Sequence, residues 1–414
     1  MERHGTKITY TLLIIQSLFS AAMIMGFTIG SIIAVDLANN LRWTGIPAMV
    51  TMIGAAMIAY PIGRLMDSIG RRRGLSLGYI VGIIGMFVAG IAVIYQSLTL
   101  FLVGMFGLGI ARGVVGLGRY AAADANPPHR RGWGISMVVL GGTVGSVAGP
   151  SLISGASAVA ANIGLPEMSG PWFLGSFCFV IALILATLFL RPDPQLIARH
   201  YADPAPTLNK ANEAGRSFVE LMRLPRARLA VSAMIFGQMS MALVMVVTPV
   251  HMNGHNHELS SISFVIMAHT LGMFGLSFLT GRLIDRFGES VMIIWGCFIL
   301  AVACVTAPLF DNVYWLATAL FLLGLGWNFC FVAGSTMLAN ILEPHEKGRI
   351  QGVADSWLNL ASGMSSFGSG FLFASVGFWV MSWATILITL PPVLQLLASR
   401  YETNGRLAKV QIGE

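Results

Sequence analysis

From Thr9 onward the chain alternates between long apolar runs and short polar stretches. A run of roughly 20 apolar residues, coiled as a helix, covers the hydrocarbon core of a bilayer. The pattern predicts twelve such helices, over about 9–35, 44–62, 75–95, 98–123, 133–156, 171–190, 227–249, 260–280, 291–309, 314–341, 351–375 and 377–397. Asp124-Ala125-Asn126-Pro127-Pro128 ends the fourth, because proline cannot continue the backbone ladder. Residues 191–226 form the one long hydrophilic segment and carry Pro192, Pro194, Pro204 and Pro206. The expected organisation is a six-helix block over 1–190, a linker over 191–226, a second six-helix block over 227–397 and a polar tail over 398–414.

Composition agrees with a membrane location. Hydrophobic residues make up 56% of the 414 and charged residues only 10%, where a soluble chain carries about 25% charged. The first apolar run is too long for a signal peptide and reads as a retained helix. The net charge of +7 raises the possibility of nucleic-acid binding, but its distribution argues for topology instead. Except for Arg42, Arg112 and Arg119, the 25 Lys and Arg residues lie in alternate loops or tails. Positive residues collect on the cytoplasmic side, which puts both termini and the linker there and leaves no nucleic-acid partner. Cys178, Cys297, Cys304 and Cys330 all fall in apolar runs without a C-x-x-C pair, so they read as small buried residues.

The chain also repeats itself. Gly63-Arg64-Leu65-Met66-Asp67-Ser68-Ile69-Gly70 returns as Gly281-Arg282-Leu283-Ile284-Asp285-Arg286-Phe287-Gly288. Gly107-Leu108-Gly109 returns as Gly324-Leu325-Gly326, and Pro128-His129 with Gly132 as Pro344-His345 with Gly348. Each copy follows the first by about 217 residues. Three landmarks in one order indicate a duplicated half, a mark of secondary transporters.

These residues resemble the major facilitator superfamily across essentially the whole chain. Gly63, Leu65, Asp67, Gly70, Arg71 and Arg72 match its motif A. The second copy matches through Gly288, but Glu289-Ser290 stand where a basic pair is expected. Arg112 and Gly116 are similar to motif B, with Val115 in place of its glutamine. Gly145, Gly149 and Pro150 are similar to motif C of proton-driven antiporters, with Ile153 and Ser154 where further glycines are expected. The resemblance implies an all-α membrane protein of the major facilitator fold, twelve helices in two pseudo-symmetric six-helix bundles. It also implies a breakable latch at Gly63, Asp67, Gly70, Arg71, Arg72 and Asp124, echoed at Gly281, Asp285 and Gly288. In that latch Asp67 faces the N-terminus of the eleventh helix, and Asp124 pairs near Arg71. Within the fifth helix Gly141, Gly145 and Gly149 step by four, so a second backbone can approach that face closely.

Ionisable groups inside a bilayer core are costly and therefore face a cavity or a partner. Asp355 is the one acidic residue within a predicted span, aligned with Asn359, Ser362 and Ser366 on one helix face. It reads either as a proton or substrate site, or as a wetted end residue about 9 Å inside Arg349 at 1.5 Å per residue. Arg112 and Arg119 share a face of the fourth helix; Arg112 is placed on the pathway, while Arg119 sits nearer the cytoplasmic end. Gln16, Gln238, Asn328 and His269 are the other candidates for substrate or proton contact, His269 alternatively as a helix tie. His251, His255 and His257 form a weak candidate for a metal site in an outer loop.

The expected protein is a monomeric, multi-pass transporter in a bacterial-type inner membrane, without cofactor or enzymatic activity. It moves a small amphipathic molecule by alternating access, coupled to protons in the export direction. A cationic N-terminal cavity raises an organic-anion or metabolite transporter as the alternative, and a non-transporting receptor or metal sensor is the reading from a different class.

Overall fold

The computed structural model describes residues 2–127, 130–201, 216–342 and 347–412, and every regular element among them is helical. In order these are α1 (Glu2–Ala38), α2 (Ile46–Ile69), α3 (Arg71–Ile94), α4 (Leu98–Val115), α5 (Gly118–Asp124), α6 (Arg131–Ser151), α7 (Ile153–Asn162) and α8 (Gly170–Phe189). Then come α9 (Pro194–Tyr201), α10 (Phe218–Leu221), α11 (Pro225–Gly254), α12 (Leu259–Phe274), α13 (Ser277–Phe287), α14 (Glu289–Thr306), α15 (Val313–Ile341) and α16 (Lys347–Ile412). Among the described residues ten helices are long and apolar enough to cross a membrane, or eleven if α12 and α13 make one bent span. One of the ten, Ile350–Ala398, is 49 residues long. At Gly377 its backbone leaves the helical region, with φ 73° and ψ 176°, so two helices run together there.

The chain divides into two compact units. The first comprises Met1–Thr207, Val246–Met267 and Ser366–Ala374; the second comprises Leu208–Met245, Ala268–Ser365 and Ser375–Glu414. In the first unit α1 is the central helix. Ile8, Leu12, Ile15, Met25 and Ile29 are fully buried on it. Trp172 on α8 meets Phe101 on α4 edge to face at 5.2 Å, and Phe179 meets Phe19 likewise at 5.6 Å. In the second unit the closest seam joins α14 and α15, where Gly296 and Gly326 let the backbones approach. Large apolar side chains such as Ile84, Phe298 and Leu387 remain more than half exposed. Lipid tails are as apolar as leucine, so such a surface suits a bilayer and helices associate instead through small residues.

The structure departs from the expected helix limits in ways that follow from local chemistry. Most of the repeated G-R-L-x-D-x-x-G stretch is helical rather than loop: 63–69 finish α2 and 281–287 finish α13. Only the last glycine of each copy leaves the helix. The expected helix over 98–123 breaks after Val115, where Gly113, Gly116 and Gly118 weaken it, and resumes as α5. The expected helix over 133–156 breaks at Leu152, two residues after Pro150, which has no N–H to donate. The Ala-rich stretch beyond it, expected as a loop, forms α7 because alanine is the best helix former. The linker ends are also ordered. Pro194 and Ile197 on α9 and Leu221 on α10 are buried, so the polar linker docks through apolar residues at each end. The tail continues α16 as far as Ile412. The landmark residues Pro128, His129, Pro344, His345 and Glu346 lie outside the described residues.

Candidate functional site

The α6 glycines lie directly against α1. A Cβ built on Gly141 would collide with the carbonyl oxygen of Leu13, and one on Gly145 with that of Ser17. On Gly149 it would lie 2.6 Å from the carbonyl oxygen of Ala21. The two ladders step in register, Gly141, Gly145 and Gly149 against Leu13, Ser17 and Ala21. The four-residue spacing therefore builds a seam in which backbone touches backbone, and Pro150 follows it inside the last turn of α6.

At the end of α2 the repeated motif makes a compact polar cluster. Gly70 takes φ 92° and ψ 162°, and its counterpart Gly288 takes φ 84° and ψ 156°. Each glycine caps one helix and starts the next, in a region that disfavours residues with a Cβ. Arg71 Nε donates to Asp124 Oδ2 at 2.9 Å, joining the start of α3 to the end of α5. Arg72 lies half-buried beside it, while Gly63 has open space around it. Asp67 occupies the last turn of α2, and its side chain lies outside the described residues.

Asp193 is the member that sequence reasoning missed. Its two carboxylate oxygens accept the backbone N–H groups of Arg71 and Arg72 at 3.1 and 3.0 Å. A carboxylate there satisfies otherwise orphaned donors and complements the positive end of the α3 dipole. A Cβ on Gly70 would approach Asp193 Oδ2 to 2.5 Å, so glycine is needed for space as well as conformation. Its signal in the sequence was the placement of an acid between Pro192 and Pro194, directly after an apolar run.

The second copy reverses the polarity of the pair. Glu289 occupies the place of Arg71, and Asn340 that of Asp124, each about 217 residues further on. Asn340 Nδ2 donates to Glu289 Oε1 at 2.9 Å, and Arg226 approaches Glu289 Oε2 at 3.5 Å. Asp285 is exposed, and Gly281 has open space around it. The missing basic pair is thus answered by an amide and by a cation from the start of α11.

Polar candidates inside the spans separate by environment. In the first unit Gln16 Nε2 meets Ser20 Oγ at 3.4 Å along one face of α1. Half-buried Arg112 lies with its guanidinium 5.7 Å from the ring centre of Phe27. Arg119 is exposed and folds over Tyr120 at 5.0 Å. In the second unit Trp327 Nε1 donates to Gln238 Oε1 at 2.7 Å, and Gln238 Nε2 donates to Ser362 Oγ at 3.1 Å.

Asn328 secures the break between α12 and α13. It donates to Met273 O at 2.7 Å and Ser277 Oγ at 2.9 Å, and accepts from Thr280 Oγ1 at 2.6 Å. A broken helix leaves backbone carbonyls unsatisfied, and this amide supplies a donor to one of them. His269 is buried, and its Nδ1 donates to Leu320 O at 2.9 Å, tying α12 to α15. Asp355 is half-buried near the start of α16, whereas Asn359, one turn on, is exposed. At the end of α11 the rings of His251 and His255 lie 4.3 Å apart, and His255 Nδ1 donates to His251 O at 2.8 Å. His257 follows the helix, half-buried.

Long apolar helices, backbone-close glycine seams and a duplicated polar helix junction define a multi-spanning, all-α membrane protein. The family model described as Major Facilitator Superfamily matches residues 11–236 and 229–406, and the chain belongs to that family. It is therefore a secondary transporter of the alternating-access type that moves small molecules, and family membership points to transport rather than catalysis. An uncharacterised MFS-type transporter, YddS of Bacillus subtilis, is 32% identical over 390 residues, covering 93% of this chain and 89% of the relative. The riboflavin transporter RfnT of Brucella anthropi is 29% identical over 392 residues, covering 93% and 94%. Among solved structures, a bacterial homolog of the human lysosomal transporter Spinster, inward-facing and unoccupied, superposes with a TM-score of 0.77. That match covers 97% of this chain and 98% of the other at 17% identity, a likeness of fold alone.

Proposed function

We propose that this transporter exports a small amphipathic molecule in exchange for protons. Counting α12 with α13 as one bent span, and 350–398 as two spans on either side of Gly377, brings the number to twelve, in bundles over 1–190 and 227–397. The linker 191–226, the tail 398–414 and both termini lie on the cytoplasmic side of a bacterial-type inner membrane, where the basic residues collect. The working unit is a monomer. The clusters around Arg71–Asp124 and Glu289–Asn340 act as latches that hold one facing and break in the other. The observation that carries the export reading is the seam of Gly141, Gly145 and Gly149 on α1, because this stripe bears the resemblance to proton-driven antiporters. The cargo named for the Brucella anthropi relative, riboflavin, is a flat amphipathic molecule and supports a substrate of that kind. Asp355, a half-buried carboxylate in a span, carries the proton.

The test uses right-side-out proteoliposomes loaded with a fluorescent flat amphiphile and acidified outside. Protons entering down their gradient should drive the dye out, and Asp355→Asn should abolish that drive while the protein still folds. Efflux that ignores the gradient would remove proton coupling, and uptake under the same gradient would reverse the direction. Arg112, half-buried beside Phe27, favours a second reading in which the cargo is an organic anion. On that reading Arg112→Ala weakens anionic cargo far more than cationic cargo; equal losses would make the arginine structural.

A further inference from the structure

Within the second unit, Trp327, Gln238 and Ser362 form a hydrogen-bonded chain with one possible direction. An indole N–H can only donate, so the atom of Gln238 facing Trp327 is its oxygen. The amide nitrogen then faces Ser362 and donates to its hydroxyl oxygen. Ser362 is left with its own proton to give, and among the described residues no acceptor takes it. Ser31, Ser157, Ser263 and Ser382 likewise have buried hydroxyls with no partner among the described residues, whereas other hydroxyls are served locally. Thr11, Thr28, Ser240 and Thr385 each donate to the carbonyl four residues earlier on their own helix, the ordinary arrangement for a hydroxyl in a span. Ser365, three residues on and on the same side of α16, is only 5% exposed, and its hydroxyl has no partner among the described residues.

Aromatic rings gather beside this chain. Phe331 stacks on Trp327 with centroids 4.9 Å apart and planes 12° from parallel. Phe274 meets the same indole edge to face at 5.9 Å. Trp327 itself is 7% exposed, whereas Phe331 is half-buried, so Phe331 is the ring of the stack that still offers surface. A buried hydroxyl in need of an acceptor, linked through Gln238 to an indole that stacks on a half-buried ring, is a recognition element with a definite preference.

We propose that the second unit binds a planar heteroaromatic ring bearing a carbonyl at its edge. The ring stacks on Phe331 and the carbonyl accepts the proton of Ser362. This inference rests on the transport reading above and names its class of cargo. The chain Trp327–Gln238–Ser362 supplies discrimination: a ring that lacks an edge acceptor leaves the hydroxyl of Ser362 unsatisfied on binding, and a site built to hydrogen-bond rejects such an analogue.

The test is equilibrium binding to the full purified chain, read by probe fluorescence anisotropy. Acridone and lumiflavin carry ring carbonyls; carbazole is a flat heteroaromatic tricycle with no acceptor at its edge. Ser362→Ala should weaken acridone and lumiflavin about tenfold, the loss of one hydrogen bond, and leave carbazole unchanged. Ser362→Thr, which keeps the hydroxyl, should restore binding of the carbonyl probes. Phe331→Leu should weaken all three probes. Equal losses for carbazole and acridone in Ser362→Ala, or no binding of any probe, would overturn the proposal. Gradient-driven flux measured on the same preparations separates the two readings. Flux unaffected by Ser362→Ala for acridone sinks the ring-carbonyl site and leaves the exporter. Carbonyl-dependent binding without gradient-driven flux sinks the exporter and leaves the site.

Discussion

The α1–α6 seam gives the most direct test of the packing argument. Replacing Gly145 by alanine puts a methyl group against the carbonyl oxygen of Ser17, inside the closest approach that real Cβ atoms show. At Gly149 the corresponding gap is 2.6 Å against a limit near 3.0 Å, so α1 would have to retreat by about 0.4 Å there, and further at Gly145. Backbone cannot swing aside as a long side chain can, so the adjustment propagates along the ladder from Leu13 to Ala21. Overpacking of this kind costs about 1–3 kcal/mol, offset by at most about 1 kcal/mol from the better helix propensity of alanine. Gly145→Ala should therefore lose up to about 3 kcal/mol, and Gly145→Val more, because it adds bulk and gains less propensity. Gly155 on α7 provides the control. Nothing lies within 4 Å of a Cβ built there, so Gly155→Ala should be neutral or stabilising by up to about 1 kcal/mol. The assay is thermal unfolding in detergent, in parallel with gradient-driven flux. A lowered Tm for Gly145→Ala, a larger drop for Gly145→Val and no drop for Gly155→Ala is the expected order. Wild-type Tm and flux in Gly145→Val would refute a backbone-close seam.

Two further substitutions test single contacts. Asp193→Ala removes the acceptor of two N–H groups at the start of α3; it should cost about 0.5–2 kcal/mol, as loss of a helix cap does, with Asp193→Asn losing less. A Tm unchanged in Asp193→Ala would show that water serves the α3 terminus equally well. Asn328→Ala leaves Met273 O without this donor at the α12–α13 break, while Thr280 Oγ1 keeps Leu276 O. A loss of about 1–3 kcal/mol per orphaned buried group is expected, read as a lowered Tm, and full stability would mean the break does not depend on this amide.

The membrane-spanning class was legible from the chain alone because it rests on run length and composition, which need no partner to be recognised. The tight approach at Gly141, Gly145 and Gly149 was legible too, since four-residue steps put small residues on one helix face whatever packs there. The repeat was readable at the level of residues and reappears in the backbone, where Gly70 and Gly288 share a left-handed φ. Helix limits were less legible around Gly116, Leu152 and Leu276, where breaks inside apolar stretches carry no polar marker.

Long-range pairing was decided only in three dimensions. Asp193 lies about 120 residues from the helix terminus it caps, and its neighbours along the chain mark it simply as part of a polar linker. Glu289 breaks the family pattern as a sequence, yet Asn340 and Arg226 answer it once the helices assemble. Asn328 and Ser362 are both polar residues in apolar helices, and nothing in the chain tells them apart. The fold gives the amide of Asn328 to a helix break and leaves the proton of Ser362 without a taker among the described residues. Hydrophobic length and small-residue spacing are properties of a segment, so the sequence determines them. Whether a buried polar group is satisfied depends on which other segment arrives beside it, and only the tertiary structure decides that.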